Sequence, residues 1–242
     1  MRVSVISTAQ QAQGIDFSGK IAVVIDVLRA TSVITTALDN GAREVIPVRT
    51  VEEAQGLYAT SDTANTLRGG ERNALKIEGF ELANSPLEYK KKTVEGKTLI
   101  LTTTNGTNAI NNIIGADVVV LACFRNAEAV AEYIVGLSYR ASHEVIIVCA
   151  GTEGHFSLDD GLCAGMLIER LKHKTEVETD DFGLLLNRFF NEGKDNLLGA
   201  LVDCHHVKRL FTLGFYDDIR FCFETNCVNT VPVLKKDKFV KM

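Results

Sequence analysis

The chain has 242 residues, 46% of them hydrophobic and 24% charged, an ordinary globular composition with enough apolar material for a full three-layer core. Its net charge of −5 argues against nucleic acid as a partner, because the notable basic clusters are only Lys90-Lys91-Lys92 and Lys235-Lys236. Six cysteines without a C-x-x-C pair, an apolar N-terminal run too short for a signal peptide and no stretch near the roughly 18 apolar residues of a membrane span predict a soluble, cytoplasmic protein without disulfides or a zinc finger.

Short apolar runs predict strands over residues 2–6, 21–25, 44–48, 98–102, 117–122 and 144–149, with helical patterns between most of them. This is the signature of an α/β fold, a three-layer α/β/α arrangement around a mostly parallel or mixed sheet. From about residue 180 the pattern turns to helical segments rich in Leu and Phe, over 182–190, 196–202 and 204–213, and closes on a short strand at Val231-Pro232-Val233. No linker intervenes, so residues 1–242 read as a single unit whose C-terminal part is a helical layer.

The second strand carries the most chemistry. Val23-Val24-Ile25 is apolar at every position, as in a strand covered on both faces, and it delivers Asp26 and then Arg29. Polar groups stranded there are costly without partners. Arg29 offers a planar fork suited to phosphate, and Thr31 and Ser32 stand beside the free N–H groups of a helix running from Val33 toward Leu38. The ensemble reads as an anion site with a metal-capable carboxylate, Asp26, beside it.

Next along the chain, Gly69-Gly70-Glu71-Arg72 pairs glycines with an acid and a base. Glu71 is a candidate Mg²⁺ ligand and Arg72 a candidate clamp for an anionic group; the alternative is a surface turn with an internal ion pair. Asn84-Ser85-Pro86-Leu87-Glu88 has the spacing of a capping box and needs no function. Thr103-Thr104-Asn105-Gly106-Thr107 follows the strand at 98–102 and opens a helix through Ile113. Asn105, Gly106 and Thr107 are candidate phosphate contacts, with a plain Asn-Gly turn as the alternative.

Residues 21–48 and 99–121 share the order strand, polar turn, helix, Gly-Ala, strand, and with the Gly-Ala pairs aligned Thr31-Ser32 falls on Asn105-Gly106. An internal duplication would bring two equivalent turns to one cleft. Further on, Ser157 and Asp160 have capping spacing before a helix at 162–171, but two adjacent acids exceed what a cap requires, so Asp160 is a third candidate metal ligand. His155, in a glycine turn at a strand end, is the candidate general acid; His143 and His173 flank elements, and His205-His206 opens a late helix.

Together with Val23-Val24-Ile25-Asp26-Val27-Leu28-Arg29-Ala30-Thr31-Ser32, the motifs Gly69-Gly70-Glu71-Arg72, Gly79-Phe80-Glu81-Leu82-Ala83-Asn84-Ser85-Pro86, Thr103-Thr104-Asn105-Gly106-Thr107, Cys149-Ala150-Gly151-Thr152 and residues 156–165 resemble the 2-phosphosulfolactate phosphatase family. The resemblance covers most of the chain in order. It implies a Mg²⁺-dependent hydrolysis of 2-phospho-3-sulfolactate to sulfolactate and phosphate, a step of coenzyme M biosynthesis, and a homodimer. Two departures, Cys204-His205-His206-Val207 and Asn226, leave room for a shifted substrate.

The chemistry expected of such a site follows from charge. A phosphate dianion beside further acid groups repels a nucleophile, so Mg²⁺ on Asp26 and a second acid, with Arg29 and Arg72, must supply cations before water attacks in line. No Cys-x5-Arg loop is present, and Leu28 stands where phosphatases of the haloacid dehalogenase type carry their second Asp; an aspartyl-phosphate route through Asp26 stays open. The G-x-G-x-x-G turn of a nucleotide-dependent oxidoreductase is absent. The competing reading is a non-catalytic module that binds small anions.

Overall fold

A computed structural model describes residues 1–113, 115–138 and 144–242, and His143 lies outside the described residues. In chain order the strands are β1 (Arg2–Ile6), β2 (Lys20–Ile25), β3 (Glu44–Pro47), β4 (Thr66–Arg72), β5 (Leu75–Lys76), β6 (Thr98–Thr102), β7 (Val118–Ala122), β8 (Glu144–Cys149), β9 (Glu178–Thr179), β10 (Pro232–Lys235) and β11 (Lys238–Lys241). The helices are α1 (Ala30–Asp39), α2 (Val51–Ala59), α3 (Lys91–Val94), α4 (Gly106–Asn112), α5 (Ala127–Ser138), α6 (Leu158–Lys172), α7 (Asp181–Gly193), α8 (Leu197–Leu201), α9 (His205–Thr212) and α10 (Tyr216–Cys222). No helix among the described residues is long and apolar enough to cross a membrane.

The strands form one mixed sheet in the order β5-β4-β6-β3-β11-β10-β7-β2-β8-β1-β9. In β2, Ile21, Val23 and Ile25 enter one core and Ala22 and Val24 the other; β8 repeats this with Val145, Ile147 and Cys149 against Ile146 and Val148. Both faces are covered, which is why these strands read as unbroken apolar runs. Helices α5 to α7 and α9 and α10 cover the first face through residues such as Val130, Leu167, Phe190, Leu210 and Ile219, and α1 and α4 cover the second through Val33, Ile34, Ala109 and Ile110. The result is the expected three-layer α/β/α architecture, and the C-terminal helices share the core of β2 and β8.

The sheet departs from a simple parallel one at its centre. β10 and β11 form an antiparallel hairpin, β10 pairs antiparallel with β7 (Val233 opposite Val120), and β11 pairs antiparallel with β3 (Phe239 opposite Val45). Three successive antiparallel pairings make β3, β6 and β4 run opposite to β7, β2, β8 and β1. Five inter-strand steps separate β2 from β6. At ~20–25° of twist each, they swing one parallel lobe ~100–125° against the other, so the carboxyl ends of oppositely directed strands can converge.

β4 is the strand that the sequence hides. Gly70 has φ +147°, and a Cβ on it would lie 2.0 Å from the Thr102 carbonyl oxygen, so only glycine lets β4 lie against β6 at this point. That pairing carries Glu71 and Arg72 to the same end of the sheet as the turn after β6.

Two groups of side chains tie down the end of β2. Asp160, near the start of α6, accepts from the Val27 N–H (2.9 Å) through Oδ1 and from the Gly151 N–H (3.0 Å) through Oδ2, joining the ends of β2 and β8. Thr31 Oγ1 donates to the Asp26 carbonyl and Ser32 Oγ to the Val27 carbonyl, both at 2.8 Å. The expected roles of these three residues are therefore corrected: Asp160 joins two backbone donors and is absent from the lining of the cleft described below, and Thr31 and Ser32 satisfy buried carbonyls instead of a phosphate. The two capping boxes are replaced as well. Ser157 makes no side-chain cap to α6 and donates to Asp159, while Ser85, before a single 3₁₀ turn at Pro86–Glu88, donates to Asp218.

Burial, with Asp159 and Asp26 nearby, pushes the Asp160 carboxyl well above its ordinary pKa. Asp160→Ala orphans two buried N–H groups at ~1–3 kcal/mol each, offset in part by removing this strained acid, for a net loss on the order of 2 kcal/mol. Calorimetry should show Tm lowered by ~4–8 °C; an unchanged Tm would remove Asp160 from the framework.

Candidate active site

The loops after β2, β4, β6 and β8, together with α9, form a cleft lined by Asp26, Leu28, Arg29, Glu71, Asn73, Ala74, Asn84, Thr103, Thr104, Asn105, Thr152, Glu153, His206, Arg209 and Leu210. Asp26 sits directly at the end of β2. Its Oδ1 accepts from the Ala30 N–H at 3.2 Å, at the first turn of α1. Against its other oxygen packs Gly106, where a Cβ would come 2.7 Å from Asp26 Oδ2 and 2.5 Å from Ala30 Cβ. The two turns that the sequence pairs thus meet across a glycine, and any larger residue there would push them apart. Burial, reinforced by the charges of Asp159 and Glu71, raises the Asp26 pKa to about 6.

Glu71 reaches the cleft from β4. Its Oε1 accepts from the Thr104 N–H (2.7 Å) and its Oε2 from the Ala74 N–H (2.8 Å). One carboxylate therefore orders both the turn after β6 and the bend after β4, while its remaining lone pairs are free to serve a ligand. Thr107 is not exposed to the cleft: its hydroxyl donates to the Thr103 carbonyl at 2.6 Å and its N–H to Thr103 Oγ1 at 3.2 Å. Its expected phosphate contact is corrected to a turn-closing role. Asn105 does line the cleft, and its Oδ1 accepts from the Glu153 N–H at 3.3 Å.

The arginines divide. Arg72 is a strap: Nη1 donates to the Glu71 carbonyl (2.7 Å), and Nη2 to Thr102 Oγ1 (3.0 Å) and the Arg49 carbonyl (3.3 Å). It is absent from the cleft wall, which corrects its expected clamp role; backbone carbonyls have already taken its fork. Arg29, 2% exposed, does line the cleft. It donates to Asp218 and to the Ala74 carbonyl (3.0 Å) and lies 4.2 Å above the Phe215 ring. Asp218 also accepts from Ser85 Oγ at 2.7 Å. Breaking a buried pair of this kind costs ~3–5 kcal/mol, so Arg29 is a fixed positive wall. Arg209, on α9, is paired with Glu153 in partial solvent, a contact worth ~0–1 kcal/mol.

The imidazole of the cleft belongs to His206. His155 is exposed and lines a neighbouring cavity of about 420 Å³, because the turn that carries it bends away after Thr152, which is paired back to back with His155 through two backbone hydrogen bonds. The expectation for His155 is corrected accordingly. His206 Nδ1 lies 3.1 Å from Thr152 Oγ1 and 3.5 Å from Asp159 Oδ2, an ion pair rather than a tight hydrogen bond. Asp159 in turn accepts from the Ser157 hydroxyl. Burial opposes charge on both groups, but their mutual attraction outweighs it: His206 is held above its ordinary pKa, with Asp26 adding to the pull, and Asp159 below its own. Both shifts favour the charged pair, and protonated His206 carries a proton it can give away.

His206, Asp159, Asp218 and Arg209 are the residues that sequence reading did not assign. Their signal was partial: His206, Arg209 and Leu210 stand at i, i+3 and i+4, one face of α9, and Asp159 is half of the acid pair that seemed excessive for a cap.

Comparison with known proteins bears on what this cleft does. The family model for 2-phosphosulpholactate phosphatase matches residues 6–237. A protein of Caldanaerobacter subterraneus subsp. tengcongensis described as a probable 2-phosphosulfolactate phosphatase is 49% identical over 220 residues, covering 91% of this chain and 90% of its own. Proteins with the same description from Clostridium botulinum (strain Alaska E43) and Clostridium perfringens (strain SM101) are 40% identical over 243 residues, covering all of both chains, and 44% identical over 233 residues, covering 96% and 92%.

The ion pair has a pH signature. Because the folded pKa of His206 lies above the unfolded 6.5, its stabilisation is complete below pH 6.5 and is lost as pH rises through the folded value. Denaturant unfolding from pH 6 to 9 should show wild-type stability declining more steeply over that window than that of His206→Gln. An equal decline in the variant would assign the effect to another group.

Proposed function

The chain belongs to the 2-phosphosulfolactate phosphatase family, and from that premise we propose that it hydrolyses the phosphate monoester of 2-phospho-3-sulfolactate, or of a related small acidic alcohol, to the alcohol and inorganic phosphate. The observation that carries the reading is a cleft combining a desolvated carboxylate, Asp26, a fixed arginine, Arg29, and a proton-bearing His206. A negatively charged protein with a small polar cleft also fits a small anion better than a nucleic acid.

Arg29 and the Thr103-Thr104-Asn105 turn bind and orient the phosphoryl group. Water adds to phosphorus in line as the P–O bond to the alcohol breaks. His206, its Nδ1 engaged by Thr152 and Asp159, passes a proton from Nε2 to the departing oxygen, so the alcohol leaves neutral at that atom. The dihydrogen phosphate formed then returns a proton to His206, and the sum is ester plus water giving alcohol plus hydrogen phosphate.

Mg²⁺ is part of the proposal. Two buried carboxylates on one cleft wall, one of them with its pKa pushed up to about 6, suit an ion that uses one or two carboxylates and fills its other positions with water and phosphate oxygens. Asp26 and Glu71 would hold it, and when bound it would screen the charge of the phosphoryl oxygens. A homodimer in the cytoplasm completes the reading.

The test is phosphate release from 2-phosphosulfolactate and 2-phospholactate by the purified chain in Mg²⁺ and in EDTA. Turnover should require Mg²⁺, and Asp26→Asn should lower kcat on the order of a hundredfold or more while Tm stays near that of the wild type. Wild-type kcat in Asp26→Asn would overturn its role. Binding of phosphate without any release from either ester would favour the non-catalytic module.

A further inference from the structure

We propose that Arg209 recognises the second anionic group of the substrate, the carboxylate on the carbon that bears the ester oxygen, and that Glu153 is a resident substitute which this group displaces. The inference rests on the phosphatase reading above and names a specificity residue within it.

The two arginines of the cleft differ in what they can release. Arg29 is buried against Asp218, and parting them would leave a carboxylate charged in the core. Arg209 contacts a single carboxylate, Glu153, and the two side chains are 31% and 58% exposed. Water can solvate Glu153 once it lets go, so exchanging it for a ligand carboxylate conserves charge and costs little. The guanidinium fork fits a carboxylate or sulfonate in two-point contact, which a lysine at this position would not.

Position supports the same assignment. Arg209 is three residues after His206 on α9, on the same face, with side chains separated by one helical turn of roughly 5–6 Å. His206 is the proton donor to the ester oxygen, and in a 2-phospho acid the carboxylate is attached to the carbon next to that oxygen. A group that reads it must sit beside the proton donor. Glu153 meets the complementary requirement: its N–H donates to Asn105 Oδ1 at 3.3 Å, so its backbone is held to the cleft while its exposed side chain is free to swing aside.

The test compares kcat/KM for 2-phospholactate with that for isopropyl phosphate, which differs in lacking the carboxylate. The wild type should prefer the acid. In Arg209→Gln the ratio should fall roughly 10- to 100-fold, as for loss of a hydrogen bond to a charged group, with Arg209→Lys intermediate. Glu153→Gln, which removes the competitor, should lower KM for the acid several-fold without a matching change for isopropyl phosphate. Calorimetric titration with sulfolactate reads the same contact without turnover: Arg209→Gln should abolish binding and Glu153→Gln should tighten it. An unchanged ratio in Arg209→Gln, weaker binding in Glu153→Gln, or no binding of sulfolactate to the wild type would overturn the assignment. Absence of phosphate release from both esters by the wild type would instead overturn the phosphatase reading and leave the titration to decide on Arg209.

Discussion

Four carboxylates crowd the ends of β2, β4 and β8, and the way each negative charge is met decides what each residue does. Asp160 is met by two backbone donors and stays with the framework. Asp159 is met by His206 and Ser157 and becomes the counter-ion that keeps the imidazole charged. Glu71 is met by two N–H groups from different loops, which it thereby registers against each other. Asp26 has one N–H bond and a distant imidazolium, the poorest compensation of the set, and its raised pKa records that deficit. Buried charge without full compensation is expensive, and it is tolerated here at a carboxylate that lines the cleft from the end of β2.

The C-terminal helices supply the imidazole that meets Asp159 and further side chains around the cleft. His206 and Arg209 stand on α9 and Asp218 on α10, while Phe215, between the two helices, covers the Arg29 guanidinium. The apolar faces of these helices, Val207, Leu210 and Ile219, pack into the core that also takes the inner residues of β2 and β8. The layer that looks in sequence like a cover over the sheet contributes His206, Arg209 and Leu210 to the cleft wall.

What the sequence made legible follows from period and length. β2, β6 and β8 are apolar runs between polar turns, which read as buried strands, and Asp26, Arg29, Asn105 and Gly106 were visible because they follow such strands; Glu71 was visible only as an acid beside paired glycines. β4 was hidden because Leu-Arg-Gly-Gly-Glu-Arg has the composition of a turn, and only its contact with Thr102 makes the glycines strand residues. Arg72, Thr31, Ser32 and Thr107 carry the right functional groups for a phosphate, but neighbouring backbone atoms claim them first, and spacing along the chain cannot register that competition. His155 and His206 were indistinguishable in sequence, since their difference lies in Asp159, which reaches one of them across the sheet end and not the other. β11 is four residues with two lysines, too short and too polar to stand out.

The central hairpin governs the order in which the molecule can be made. β10 and β11 sit between β7 and β3, so the two parallel lobes, though encoded earlier, have no shared seam until residues 232–241 are available. During synthesis each lobe carries an open strand edge, β7 on one and β3 on the other, that only the hairpin can cover, and such edges invite pairing with other nascent chains. The protein therefore completes its sheet after the hairpin has emerged from the ribosome, and a polysome loaded with its message holds a row of half-sheets waiting for the same short segment.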